Sequence, residues 1–203
     1  MEPFTVLTSR AVPLDIANVD TDQLIPARFL KKPRSSGYDN YLLYDLRFDE
    51  AGAPRPDFVL NRPEYRGAKI VVTGPNFGCG SSREGAVYAL VDAGIRCVIA
   101  ASFGDIFFNN APKNGLLPVV LPPDQVAEVR AALDGACAEL TVDLQAQEVR
   151  GPGFAFRFDI DPFRREGLLK GIDEIDLTLQ YRERIEAFRA DYLAERPWAG
   201  VRG

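Results

Sequence analysis

Three stretches in the middle of the chain are apolar almost without interruption: AKIVV (68–72), CVIAA (97–101) and LLPVVL (116–121). A strand covered on one face alternates polar and apolar positions, so a near-continuous run predicts a strand covered on both faces. Between the first two runs, Ser82 to Ala93 sets Ala86, Val87, Leu90 and Val91 on one stripe at helical spacing. Ser81 or Ser82 stands ready to cap that helix, Glu84 lies in its first turn and Gly94 ends it. A shorter helical stretch is predicted around Asp105 to Asn110. Alternation of strand and helix predicts parallel strands joined by right-handed crossovers.

Beyond the third run the period changes. Asp124 caps a predicted amphipathic helix carrying Val126, Val129 and Leu133, closed by Gly135. Leu140, Val142 and Leu144 then alternate with polar neighbours, GPG (151–153) turns the chain, and Phe154, Phe156, Phe158 and Ile160 alternate back, which predicts an antiparallel hairpin. Near the start, FTVLT (4–8) predicts a short strand and ANVDTDQLIP (17–26) a loop with a buried end. Lys31 to Pro56 is polar, broken only by YLLYDLRF, and predicts a long surface excursion. From about Asp173 to Glu195, Ile175, Leu179, Ile185, Phe188 and Tyr192 recur at roughly helical spacing and predict a helix that packs on this domain or on a partner, with packing on the domain the expectation. The expectation is a single α/β domain over residues 1–203, with a core at about 4–160 and a helical segment at about 162–196.

Composition narrows what such a domain does. The formal net charge is −5, so a nucleic-acid binder is not expected, because phosphate affinity rests on a basic face. MEPFTVL lacks the basic-then-apolar start of a secretory leader, and no apolar run is long enough to cross a bilayer. A cytoplasmic protein with no membrane partner is expected. Cys79, Cys97 and Cys137 have no metal-knuckle or redox spacing, and Cys97 and Cys137 are expected to be buried small residues. No histidine occurs at all. This removes Ser-His-Asp and Cys-His catalysis, histidine-ligated zinc and any histidine base from within the chain, and no metal site is expected. Proton chemistry would fall to carboxylates, lysines or an activated hydroxyl.

GPNFGCGSSRE (74–84) follows the first apolar run, and its glycine density is costly to order. A phosphate loop needs a lysine after the glycines, and none follows. A dinucleotide fingerprint needs a third glycine where Arg83 stands. A nucleophile elbow would need glycine where Glu84 stands, and a histidine elsewhere. What remains is a small-anion loop. Ser81 and Ser82 lie where helix N–H groups and the positive end of the dipole converge, and Arg83 has the fork that grips a carboxylate. The same field favours a serine alkoxide as a base. The plainer reading is an N-cap serine beside a surface arginine. Asp20 and Asp22 in NVDTDQLIP read by themselves as turn residues, and Arg34 in KKPRSSG reads by itself as a solvated charge.

NVDTDQLIPARFL, NFGCGSSRE, SFGDIFFNN and KNGLLPV, in this order and spacing, resemble the 3-isopropylmalate dehydratase (isopropylmalate isomerase) small-subunit family. That family is related to the swivelling C-terminal domain of aconitase, and the resemblance spans essentially the whole chain. It implies a swivelling β/β/α domain that closes over a [4Fe-4S] cluster held by a separate large subunit, with no cofactor in this chain. It implies dehydration and rehydration of a 2-hydroxy dicarboxylate. By motif position it makes Ser81 the base and Asp22 an acid beside it. Arg83 and Arg34 become carboxylate-binding arginines, with Thr21 and Ser82 as substrate-binding neighbours. YDNYLLYDLRF (38–48) stands where the family has its specificity loop, with Leu42, Leu43 and Tyr44 facing an apolar branch of the substrate; ordinary packing is their other reading. The family motif SSREHA reads SSREGA here, so Gly85 replaces a histidine, and NNAPKNG lacks the cysteine often seen before KNG. These departures leave open a citramalate-like, homoaconitate-like or dimethylmalate-like substrate, a swivel domain that binds a partner without catalysis, or a stand-alone anion- or nucleotide-binding α/β enzyme.

Overall fold

The computed structural model describes residues 1–133 and 138–200. In chain order its elements are β1 (Val6–Leu14), α1 (Thr21–Leu24), α2 (Tyr44–Arg47), β2 (Ile70–Thr73), α3 (Glu84–Asp92), β3 (Cys97–Ala100), α4 (Asp105–Lys113) and β4 (Leu117–Val120). Then come α5 (Pro123–Leu133), β5 (Glu139–Asp143), β6 (Glu148–Gly151), β7 (Phe154–Arg157), α6 (Pro162–Lys170), α7 (Glu174–Leu179) and α8 (Arg182–Glu195). The strands form one sheet in the order β4-β3-β2-β1-β5-β6-β7.

β1 joins two kinds of sheet. Its first half, Val6 to Arg10, pairs antiparallel with Asp143 to Glu139, and its second half, Ala11 to Leu14, pairs parallel with Ile70 to Thr73. β2, β3 and β4 continue the parallel half, and β6 and β7 the antiparallel half. The strand is longer than FTVLT predicts. Ser9, Arg10 and Pro13 hide its second half, and Pro13 is tolerated because it asks for no ladder donor.

The near-continuous apolar runs follow from two cores. Val12, Val71, Val98 and Ala100 face one core, under Ala86, Val87 and Leu90 of α3 and Phe107 and Ala111 of α4. The alternate residues Ala11, Ile70, Val72, Cys97 and Ile99 face the other, with Val126, Val129 and Leu133 of α5, Leu140 and Val142 of β5, and Leu168 of α6. This is a mixed α/β architecture in which α3 and α4 cover one face of the parallel half and α5 the other.

Several expectations change. Residues 17–26 contain α1, started by a capping box: Asp20 Oδ1 accepts from Gln23 N at 2.7 Å, and Gln23 Oε1 accepts from Asp20 N at 2.9 Å. The excursion after residue 31 runs on to about residue 67 as short 3-10 turns and α2, and it is no mere surface loop. It buries Tyr38, Leu42 and Leu43 in the first core. The predicted two-stranded hairpin is three-stranded, because β6 stands between β5 and β7. The Asp105 helix extends to Lys113, with Pro112 in its last turn. Gly135 and Cys137 lie outside the described residues; Cys97 is buried, and burial pushes its thiol up.

The largest departure is at the C-terminus. α6 packs on the domain, and Phe4 N donates to Leu168 O at 2.8 Å. α8 buries no residue, and Ile185, Phe188 and Tyr192 are exposed, Phe188 at 69%. Helical spacing alone reports an apolar stripe and does not say what covers it.

Candidate active site

At the C-terminal ends of the parallel strands, three connections are stitched together. Gly78 N donates to Val19 O at 2.7 Å, and Thr21 N donates to Cys79 O at 2.9 Å. Phe77 N donates to Ser102 O at 3.1 Å, and Gly104 N donates to Phe77 O at 2.9 Å. Single bridges, Asp20 to Cys79 and Phe77 to Phe103, thus carry the parallel pattern past the strand ends. Crevices at this edge of an α/β sheet are where ligands bind.

The glycines of the 74–84 loop have separate jobs. Gly78 has φ +72°, and a Cβ there would stand 2.6 Å from Phe107 Cβ, so neither its backbone nor its space accepts a side chain. Phe77, Phe103 and Phe107 form the floor beneath it, with Phe77 and Phe107 centroids 5.3 Å apart at 84°. Gly80, φ +95°, passes over Thr21, whose Oγ1 donates to Ser81 O at 3.0 Å. Thr21 is itself buried, so this bond fixes the backbone of Ser81 against α1.

Ser81 and Ser82 are exposed, and their hydroxyls make no hydrogen bond among the described residues. Neither caps α3. The N-cap is Arg83, in extended conformation with φ −132°, and it supplies no side-chain cap. The first N–H groups of α3 therefore lack a side-chain acceptor and lie open beside the serine pair. Arg83 itself is half-buried and bound in a fork by Asp22: both Nη atoms donate to its carboxylate, Nη2 to Oδ2 at 2.7 Å. The Arg83 hydrogen bonds hold the Asp22 carboxyl below the usual carboxylate range, and Asp22 raises Arg83 in turn. Thus Ser81, Ser82, Arg83, Thr21 and Asp22 come together from two connections.

Arg34 does not join them. It lies toward the other end of α3, where Nε donates to both Asp92 oxygens at 3.1 and 3.0 Å and its guanidinium stands 4.1 Å from the Tyr88 ring centroid. Asp92, which holds it, stands about 13 Å along α3 from Arg83 at 1.5 Å rise per residue. Leu42 and Leu43 are almost wholly buried under α3, each worth roughly 1.5–3 kcal/mol of burial, so packing is the role the structure gives them. Of the three excursion residues, Tyr44 alone is only half-buried, its ring 5.0 Å from Phe29 and 4.7 Å from Phe48. Tyr41, stacked on Phe29 at 4.2 Å, belongs to the same aromatic group and was not singled out by the apolar pattern. The capping pair Asp20 and Gln23 was also missed, although D-x-x-Q before an apolar step spells it.

Gly85 points away from the loop. A Cβ there meets Leu30 Cδ2 at 2.9 Å, Tyr38 Cε2 at 3.4 Å and Ile25 Cγ2 at 3.7 Å. A side chain at this position would press on Leu30 from the excursion. Among the described residues, no cluster of three or more His, Cys, Asp or Glu is placed to hold a metal, and no helix is long and apolar enough to cross a membrane.

The domain, with its parallel strands and a serine–arginine loop at the strand ends, is of the aconitase C-terminal type: the family model "Aconitase C-terminal domain" matches residues 1–124. A second model, LeuD_N, matches residues 130–162. A 3-isopropylmalate dehydratase small subunit from Rhodospirillum centenum is 57% identical over 201 residues, covering 98% of this chain and 99% of the relative. Its counterpart from Azorhizobium caulinodans is 52% identical over 200 residues, covering 98% and 100%. The crystal structure of 3-isopropylmalate dehydratase (leuD) from Methanocaldococcus jannaschii matches with a TM-score of 0.64 at 26% identity, over 91% of this chain and 99% of that one. The chain belongs to the 3-isopropylmalate dehydratase small-subunit family.

Proposed function

We propose that this chain is the small subunit of a two-subunit hydro-lyase of leucine biosynthesis. The enzyme interconverts 2-isopropylmalate and 3-isopropylmalate by dehydration and rehydration, and it is active only with its large subunit. The observation that carries the reading is the loop at 78–83, where Gly78 and Gly80 bring Ser81 beside the uncapped start of α3 with Arg83 two residues on. Full-length identity of 57% to a small subunit of that name supports the substrate. So does Gly85, whose Cβ direction faces Leu30 and Tyr38, making its replacement of histidine a packing change rather than a change of substrate contact.

Ser81 takes the proton from the substrate carbon. An alkoxide there is favoured by the helix start, whose N–H groups lack a side-chain cap. Arg83 binds a substrate carboxylate by exchanging one carboxylate for another, because Asp22 holds its fork in the absence of substrate. Asp22, once displaced, remains beside Ser81 as the acid. Thr21 keeps the Ser81 backbone in place, and Ser82 offers a second hydroxyl to the substrate. Tyr44 is the residue of the excursion left to meet the isopropyl branch. Arg34 would reach a carboxylate only by leaving Asp92.

Among the described residues, nothing fits an iron–sulfur cluster. Cys97 is sealed in the core, Cys79 stands apart from it, and no ligand group accompanies either among the described residues. A [4Fe-4S] cluster on the large subunit would supply the Lewis acid for the leaving hydroxyl. Mixing the two subunits is expected to give isomerase activity that vanishes when either is omitted. Ser81→Ala should cost on the order of 10²- to 10⁴-fold in kcat, as loss of a general base does, with an unchanged circular dichroism melt. Full activity in Ser81→Ala would remove the base assignment, and activity without the large subunit would remove the two-subunit reading.

A further inference from the structure

A cavity of about 370 Å³ opens behind the excursion, within the size range of small-molecule sites. Ala68, which precedes β2, and Ile95, which precedes β3, line it. It therefore lies at the N-terminal ends of the parallel strands. The Ser81 loop leaves the opposite end of β2, one strand length away, roughly 13 Å at 3.3 Å per residue.

Arg47, Arg62 and Arg66 stand in its wall, and no aspartate or glutamate lines it among the described residues. Arg47 is half-buried, yet its acceptors are all neutral: Asn61 Oδ1 at 3.1 Å, Asp39 O at 3.2 Å and Leu42 O at 3.3 Å. Its Nη2 makes no hydrogen bond among the described residues, and burial lowers its pKa against the opposing pull of the Asp39 charge. The Arg62 side chain donates only to Asp57 O, at 3.1 and 3.3 Å, and the Arg66 side chain has no hydrogen bond or ion pair among the described residues. Three guanidiniums facing one space without a carboxylate repel one another. Beneath them the floor is aliphatic, from Val12, Leu42, Leu60 and Ile95.

We propose that this cavity binds a small organic dianion carrying an aliphatic branch, at a site separate from the Ser81 loop. Two carboxylates would take paired N–H donors from the three arginines, and the branch would cover the floor. This assignment rests on the cavity alone and stands whether or not the isomerase reading holds.

Calorimetric titration of the full chain with 2-isopropylmalate, with unbranched succinate and with inorganic phosphate tests it. The expected result is saturable binding of 2-isopropylmalate that persists in Arg83→Ala. The same binding should weaken at least tenfold in the double variant Arg62→Ala/Arg66→Ala, whose residues are exposed and whose thermal melt should match the parent. Succinate and phosphate should bind at least tenfold more weakly than the branched acid. Absence of binding overturns the proposal, as does binding that disappears in Arg83→Ala or survives intact in the double variant. Equal affinity for succinate or phosphate overturns the assignment of the aliphatic floor.

Discussion

Gly78 shows how much one position can be asked to do. Its φ of +72° suits glycine, and the space a Cβ needs is already held by Phe107. Gly78→Ala combines backbone strain with overpacking, each costing about 1–3 kcal/mol, and urea denaturation should show the loss as a lower midpoint. The Asp22–Arg83 pair is a different kind of residue-scale feature. Because Arg83 lowers the folded pKa of Asp22, the pair contributes stability above the unfolded carboxylate pKa and loses it as pH falls through the lowered folded value. Asp22 is mostly exposed, so the contribution is at most about 1 kcal/mol. Asp22→Asn should therefore be slightly less stable than the parent at pH 7. The two urea curves should converge in strong acid, where the parent is protonated too. A gap that persists there would mean the pair matters through packing rather than charge.

Among the elements, α1 is the shortest that matters, because it carries Thr21 and Asp22 into the site. Four residues make a helix only with outside help, and the Asp20–Gln23 box supplies it. Asp20→Ala should cost about 1 kcal/mol, read from a denaturant midpoint, and should weaken activity of the assembled enzyme through misplacement of Asp22. The three central strands and α3 were legible in the sequence because burial on both faces writes itself as uninterrupted apolar residues. α1 was hidden because its stability sits in a cap rather than in a stripe. β6 was hidden because EVRG offers a single buried side chain, Val149, between polar neighbours. The loop at 74–84 stood out as a candidate small-anion loop from glycine, serine and arginine alone. Its partnership with Asp22 did not, since that contact joins residues more than fifty positions apart. Arg34 drew notice only through the family resemblance, because a charge next to a turn says nothing of whether a carboxylate such as Asp92 already holds it.

At the scale of the molecule, the two cores and the one sheet leave α8 outside. It buries no residue, so a chain ending after Gln180 should melt within a few degrees of the full chain. A large drop on differential scanning calorimetry would show that α8 packs against the domain in solution. The sheet itself has a consequence for how the chain is made. β1 leaves the ribosome well before β5, yet Val6 to Arg10 find their partners only in Glu139 to Asp143. Until those late residues emerge, the nascent parallel half carries an open strand edge bearing Val6 and Leu7, of the kind that pairs with other chains. Synthesis order and pairing order thus disagree in this fold. The interval between them, rather than the finished domain, is when the polypeptide has most need of a chaperone.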